Sequence, residues 1–156
     1  MKLELKNIKH TAWASEETHC YQASLYVNGK PFATVSNDGH GGADRYCRHK
    51  CVYSGRSEWC DPMHNIHAYF ASLPKTDACD IFPDGIEQSL EMWCCDQVND
   101  WLSARELKKK LKKSYVYHFA DGAGMFAHKL RPASTVAVVL NDLPFDEALA
   151  IWEETA

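Results

Sequence analysis

The segment Ser36-Asn37-Asp38-Gly39-His40-Gly41-Gly42 holds the chain's densest mixture of polar side chains and glycine. Its three glycines allow backbone N–H groups to converge on a phosphate or carboxylate, with His40 and Arg45 adding charge. The P-loop Lys and Ser/Thr are missing, as is the GxGxxG spacing, so neither nucleotide motif applies. The expectation is contact with a ligand or partner through Asn37, Asp38, His40 and Arg45. The competing reading is a loop that needs glycine for geometry alone. A catalytic role lacks a defined third group beside His40 and Asp38.

A second chemistry is written in Cys47-x(3)-Cys51-x(8)-Cys60-x(3)-His64, with His49 and His67 nearby. Tetrahedral zinc takes paired ligands two to four residues apart on either side of a short loop, and this spacing qualifies. Four protein ligands would make the zinc structural, with no open position for water. The tighter C-x(2)-C knuckle is absent, and packed thiols with surface histidines fit the same residues. Cys20 beside His19, and Cys94-Cys95, have the residue types of a thiol enzyme but not the placement. Strand neighbours point to opposite faces, and Cys94 falls on an apolar helical stripe.

A third feature is electrostatic. From Asp77 to Asp100 every charge is acidic, whereas Arg105 to Lys113 holds six basic residues against Glu106 alone. At about 100° per residue, Arg105, Lys108, Lys109 and Lys112 share one helix face, opposite Leu107 and Leu111. Such a face grips a phosphate backbone or an acidic protein surface, or is simply solvated and favoured by the helix dipole.

The elements that must position these groups follow from periodicity. Tyr21, Ala23, Leu25 and Val27 alternate with Gln22, Ser24 and Tyr26, the period of a strand with one buried face. Asn28-Gly29 then marks a hairpin whose return strand, PFATV, leads into the glycine loop. Lys2–Lys9 alternates as a strand beside it, and the connection 11–18 is expected to tuck Trp13 against the core edge. Asp61-Pro62 reads as the start of a helix that ends by Pro74. Asp84-Gly85-Ile86-Glu87 has the form of a capping box opening a long helix to about Lys113. Strands are predicted at 115–119, 125–130 and 135–140, with a short helix from Asn141 through Trp152. Trp93, Trp101 and Trp152 are assigned to the core, and Trp59 stands apart as a candidate contact residue. The order βββ-αα-βββ-α defines an α+β fold with antiparallel sheet, one long helix and two short ones.

With 156 residues and 46% hydrophobic composition, the chain predicts a single domain, 1–156, carrying a Cys/His-rich irregular insertion at about 43–61. A formal charge of -4 excludes neither class of macromolecular partner but does not advertise nucleic-acid binding. Met1 leads directly into a charged strand, no run approaches the roughly 20 apolar residues of a membrane span, and seven cysteines is an odd number. Reduced thiols, a cytoplasmic setting and no membrane partner are therefore expected; self-association is compatible with all of this.

The stretches SEETHCY (15–21), LYVNGKPFATVSNDGHGG (25–42), VNDWL (98–102) and VLNDLPFDEAL (139–149) resemble a family of small tailed-phage and prophage proteins. What the resemblance implies is context: an accessory protein in a bacterial host cytoplasm, acting against host defence. Residues from Cys47 to His67 lie outside it, so the zinc reading rests on spacing alone. The leading expectation is a non-enzymatic protein that binds a host or phage macromolecule through the glycine loop. Nucleic-acid binding by the basic helix face is the alternative, and a metal-dependent or thiol enzyme the third.

Overall fold

A computed structural model describes residues 1–48, 57–78, 81–119, 124–132 and 137–155, with the backbone alone at 57–62 and 137. The fold is α+β. Strands β1 (Leu3–His10), β2 (Tyr21–Val27), β3 (Lys30–Asn37) and β4 (Arg45–Arg48) form one antiparallel sheet in sequential order. Helices α1 (Ser57–Ala71) and α2 (Leu90–Leu111) follow. A second antiparallel sheet has the order β6 (Met125–His128), β5 (Tyr115–Phe119), β7 (Ala137–Val139), and α3 (Phe145–Thr155) closes the chain. The chain comprises two compact units, Met1–Val98 and Asn99–Ala156.

In the first unit the expected alternation holds. Tyr21, Ala23 and Leu25 are buried and pair across the sheet with Asn37, Val35 and Ala33. The hairpin turns at Asn28 (φ 50°) and Gly29 (φ 77°), the left-handed pair that a two-residue turn requires. In β1 the register shifts between Lys6 and Lys9, with Asn7 at φ 55°, so His10 joins the inward row opposite Tyr21. Strand β4 falls where the irregular insertion is expected. Its pairing with β3 sets Tyr46 beside Val35. Among the described residues, Ile66 and Phe70 of α1 and Leu90, Cys94 and Val98 of α2 join the buried apolar set of this unit.

Several boundaries depart from expectation for physical reasons. Helix α1 begins at Ser57, so Pro62 is its sixth residue and not its first. The apolar period Trp59, Met63, Ile66, Phe70 already runs through the first turn and overrides the local Asp-Pro signal. The box at 84–87 does not open α2 either. Gly85 (φ 68°) closes a turn onto the Phe82 carbonyl, Ile86 and Thr76 exchange hydrogen bonds, and Ser89 Oγ caps the helix by accepting the Met92 N–H at 3.1 Å.

In the second unit Leu107, Val116, Leu140, Ala148 and Trp152 form the core, with Leu111, Met125 and Phe145 packed against it. Asn141 ties the pieces together. Its Oδ1 accepts the Val116 N–H at 2.8 Å, and its Nδ2 donates to the Leu111 and Ser114 carbonyls, both at 3.1 Å. It thus satisfies an orphan carbonyl at the end of α2 while fixing the start of β5.

Candidate functional site

The glycine loop is built inward before it faces outward. Asn37, the last residue of β3, is only 8% exposed, and all its amide capacity is used. Its Oδ1 accepts from Thr18 Oγ1 and from the Gly39 N–H, each at 2.9 Å; its Nδ2 donates to the Gly42 carbonyl (2.8 Å) and to Asp44 Oδ1 (3.1 Å). The Gly39 carbonyl in turn accepts the N–H groups of Glu16, Glu17 and Thr18 at 3.0–3.3 Å. Gly39 has φ 91°, and a Cβ there would stand 2.0 Å from the Ala14 carbonyl oxygen. Only glycine lets the two loops approach this closely.

Two of the three glycine N–H groups that could converge on an anion are engaged within the protein. The Gly39 N–H points to Asn37 and the Gly41 N–H to Thr18 Oγ1 (3.3 Å), while His40 and Arg45 are each matched with a carboxylate. His40 Nδ1 lies 3.1 Å from Glu16 Oε2, and Arg45 donates to Asp38 Oδ2 at 2.7 Å. What reaches the surface is a braced pair of loops, 11–18 and 36–45. On the first of them, Trp13 is 88% exposed, contrary to its expected place at the core edge. The reason is local: Trp13 occupies a single 3-10 turn, Ala12–Ala14, that buries no residue.

Beneath the loops lies a polar cluster that sequence spacing does not reveal. Asp44 accepts from the Tyr21 hydroxyl (2.5 Å) with one carboxylate oxygen and from Asn37 with the other, and its own N–H donates to Glu91 of α2 at 3.1 Å. Burial first, and the Asp44 hydrogen bond second, push the Tyr21 phenol well above its ordinary range. Burial likewise pushes up Tyr46, whose enclosed hydroxyl, beside Cys94, finds no hydrogen-bond partner of regular geometry among the described residues. The Cys94 thiol is pushed up to about 12, by burial and then by the Asp44 charge. A protonated, sealed thiol is a packing group and not a nucleophile. Beside the cluster, a concavity of about 180 Å³ opens between Thr18, His19, Glu91 and Cys95.

In the second unit, the predicted basic residues do converge. Arg105, Lys108, Lys109 and Lys112, with Trp101 and Ala104, line a shallow concavity of about 400 Å³. The Arg105 guanidinium lies 5.2 Å from the centre of the Trp101 ring, and Lys108 Nζ lies 4.5 Å from that of Phe145. Trp101 is half-buried and its role as a lining residue is invisible in the sequence, where it reads as core.

The zinc expectation falls partly outside the described residues, which exclude Cys51 and the side chain of Cys60. Cys47 is exposed on the edge strand β4 and His64 is exposed on α1. Among the described residues, no group of three or more His, Cys, Asp or Glu side chains could hold a metal ion. The side chain of Trp59 likewise lies outside them. Cys20 is half-buried, and its N–H donates to Ser15 Oγ at 2.9 Å. No described helix is long and apolar enough to cross a membrane.

No family model, no curated protein and no solved structure matches the chain.

Proposed function

We propose that this is a non-enzymatic accessory protein of phage or prophage origin that binds a host or phage protein through the paired loops 11–18 and 36–45. The observation that carries the reading is Trp13, a large aromatic 88% exposed on a loop that three N–H bonds to Gly39 hold in place. An indole has only two side-chain torsions to immobilise on docking, and tryptophan is enriched among residues that dominate interface energies. Asp38, His40 and Arg45, each exposed and paired, supply the polar rim that surrounds such an anchor. The phage setting, a bacterial cytoplasm and counter-defence as the biological role come from the family resemblance.

The test is affinity capture from a bacterial host lysate with wild type and Trp13→Ala, followed by titration of the captured protein in purified form. Full burial of one indole contributes about 2 kcal/mol or more, so Trp13→Ala should weaken Kd roughly 30-fold at unchanged thermal stability. Equal affinity of the two forms for that partner would remove the loops as the contact surface.

A further inference from the structure

We propose that the concave face of α2 in the second unit is a binding site for single-stranded nucleic acid. Four cations line it, and among the described residues none of the four is paired with a carboxylate. The one acid in their segment, Glu106, is engaged by Lys110 at 3.1 Å, which lies outside the concavity. Helix-dipole compensation alone would be met by basic residues spread around the last turn; here the cations gather on one face.

What orders two of them is aromatic. Arg105 lies over Trp101 and Lys108 over Phe145. A carboxylate partner would neutralise these charges, whereas a ring holds the side chain and leaves its charge available to an incoming anion. From Arg105 to Leu111 the helix rises about 9 Å at 1.5 Å per residue, with Lys112 directly after it, long enough to follow successive phosphates of one strand. The Arg105 guanidinium and the Trp101 ring beneath it are planar groups that an unstacked base can stack on, a contact that a duplex, with its base faces already stacked, cannot use. An anionic membrane would require large apolar residues projecting from the face, and the concavity offers the half-buried Trp101 and the small, half-buried Ala104.

The experiment is fluorescence anisotropy of the full chain with labelled oligo-dT and oligo-rU of about 20 nucleotides, from about 20 to 200 mM salt. Duplex DNA of equal length, poly-glutamate and phosphatidylserine vesicles serve as competitors. Four neutralised phosphates predict a slope of log K against log salt of about −2.8, falling to about −1.4 in the double variant Lys108→Glu/Lys109→Glu. That variant should bind at least tenfold more weakly at low salt, and Trp101→Leu about tenfold more weakly with a nearly unchanged slope. Both substituted lysines are exposed, so folding is preserved; Arg105→Ala repeats the charge test should Trp101→Leu lose structure. Absence of oligonucleotide binding at low salt, or binding indifferent to charge reversal, would overturn the proposal. So would competition by duplex, poly-glutamate or vesicles as effective as that by the single strand.

Discussion

Replacing Asn37 by Ala removes four hydrogen bonds at once, those to Thr18, Gly39, Gly42 and Asp44. Each is worth about 1 kcal/mol net when both partners can return to water. Two of the partners cannot do so freely. Gly39 is buried, and Asp44 remains bonded to the Tyr21 hydroxyl with one oxygen now short of a donor. Leaving the Gly39 N–H unsatisfied adds about 1–3 kcal/mol, so the sum is about 5–7 kcal/mol before relaxation, and about 4 kcal/mol is expected once local relaxation recovers part of it. Urea unfolding followed by tryptophan fluorescence and far-UV circular dichroism measures it. Native-state hydrogen exchange localises it: the amides of Glu16, Glu17, Thr18, Gly39 and Gly41 should lose protection first, because all five depend on the same hub. Asn37→Asp keeps the accepted bonds from Thr18 and Gly39 but sets a second carboxylate against Asp44. The repulsion disfavours the charged form of the introduced group in the folded state. Its folded pKa is then raised, and the variant's deficit should grow as pH rises from about 4 to 7. A loss below about 1 kcal/mol for Asn37→Ala, with the five amides still protected, would refute the hub.

Gly39→Ala forces a Cβ against the Ala14 carbonyl at a left-handed φ, and should cost about 3 kcal/mol or prevent folding. Gly42→Ala meets nothing within 4 Å and should stay within about 0.5 kcal/mol, both read by thermal melts. Cys94 should resist alkylation in the native state at pH 8 while the exposed Cys47 and Cys95 react, followed by mass spectrometry. Because the Cys94 thiol is raised from 9.0 to about 12, its contribution to stability is complete below pH 9 and is lost as pH climbs towards 12. Cys94→Ala should flatten part of that alkaline slope, with Tyr21 and Tyr46 supplying the same sign. Asn141→Ala strips three bonds from the end of α2 and the start of β5, and should lower stability by about 2–3 kcal/mol in urea.

Both asparagine hubs lie inside polar, turn-forming stretches, SNDGHGG and VLNDLPFDEAL. As polar residues next to glycine or at a helix start, they are natural candidates for ligand contact. The structure uses both to tie segments of backbone together. Asn37 reaches Thr18, 19 positions earlier, and Asn141 reaches Leu111, 30 positions earlier. Partners that far apart leave no spacing rule for a reader of sequence to apply.

The sequence by itself determined the α+β class, the β2–β3 hairpin and its turn, the inward row of β2 and the shared face of Arg105, Lys108, Lys109 and Lys112. Each depends on a backbone period or on the φ a residue tolerates, and both are local properties. Tertiary structure decided the rest. It gave the α2 cap to Ser89, carried α1 through Pro62, exposed Trp13, and turned the Gly39 and Gly41 amides inward to Asn37 and Thr18. It also set Asp44 under Tyr21. These outcomes turn on which polar groups find partners once the chain is compact, and an unpaired buried donor or acceptor costs more than any local preference can recover.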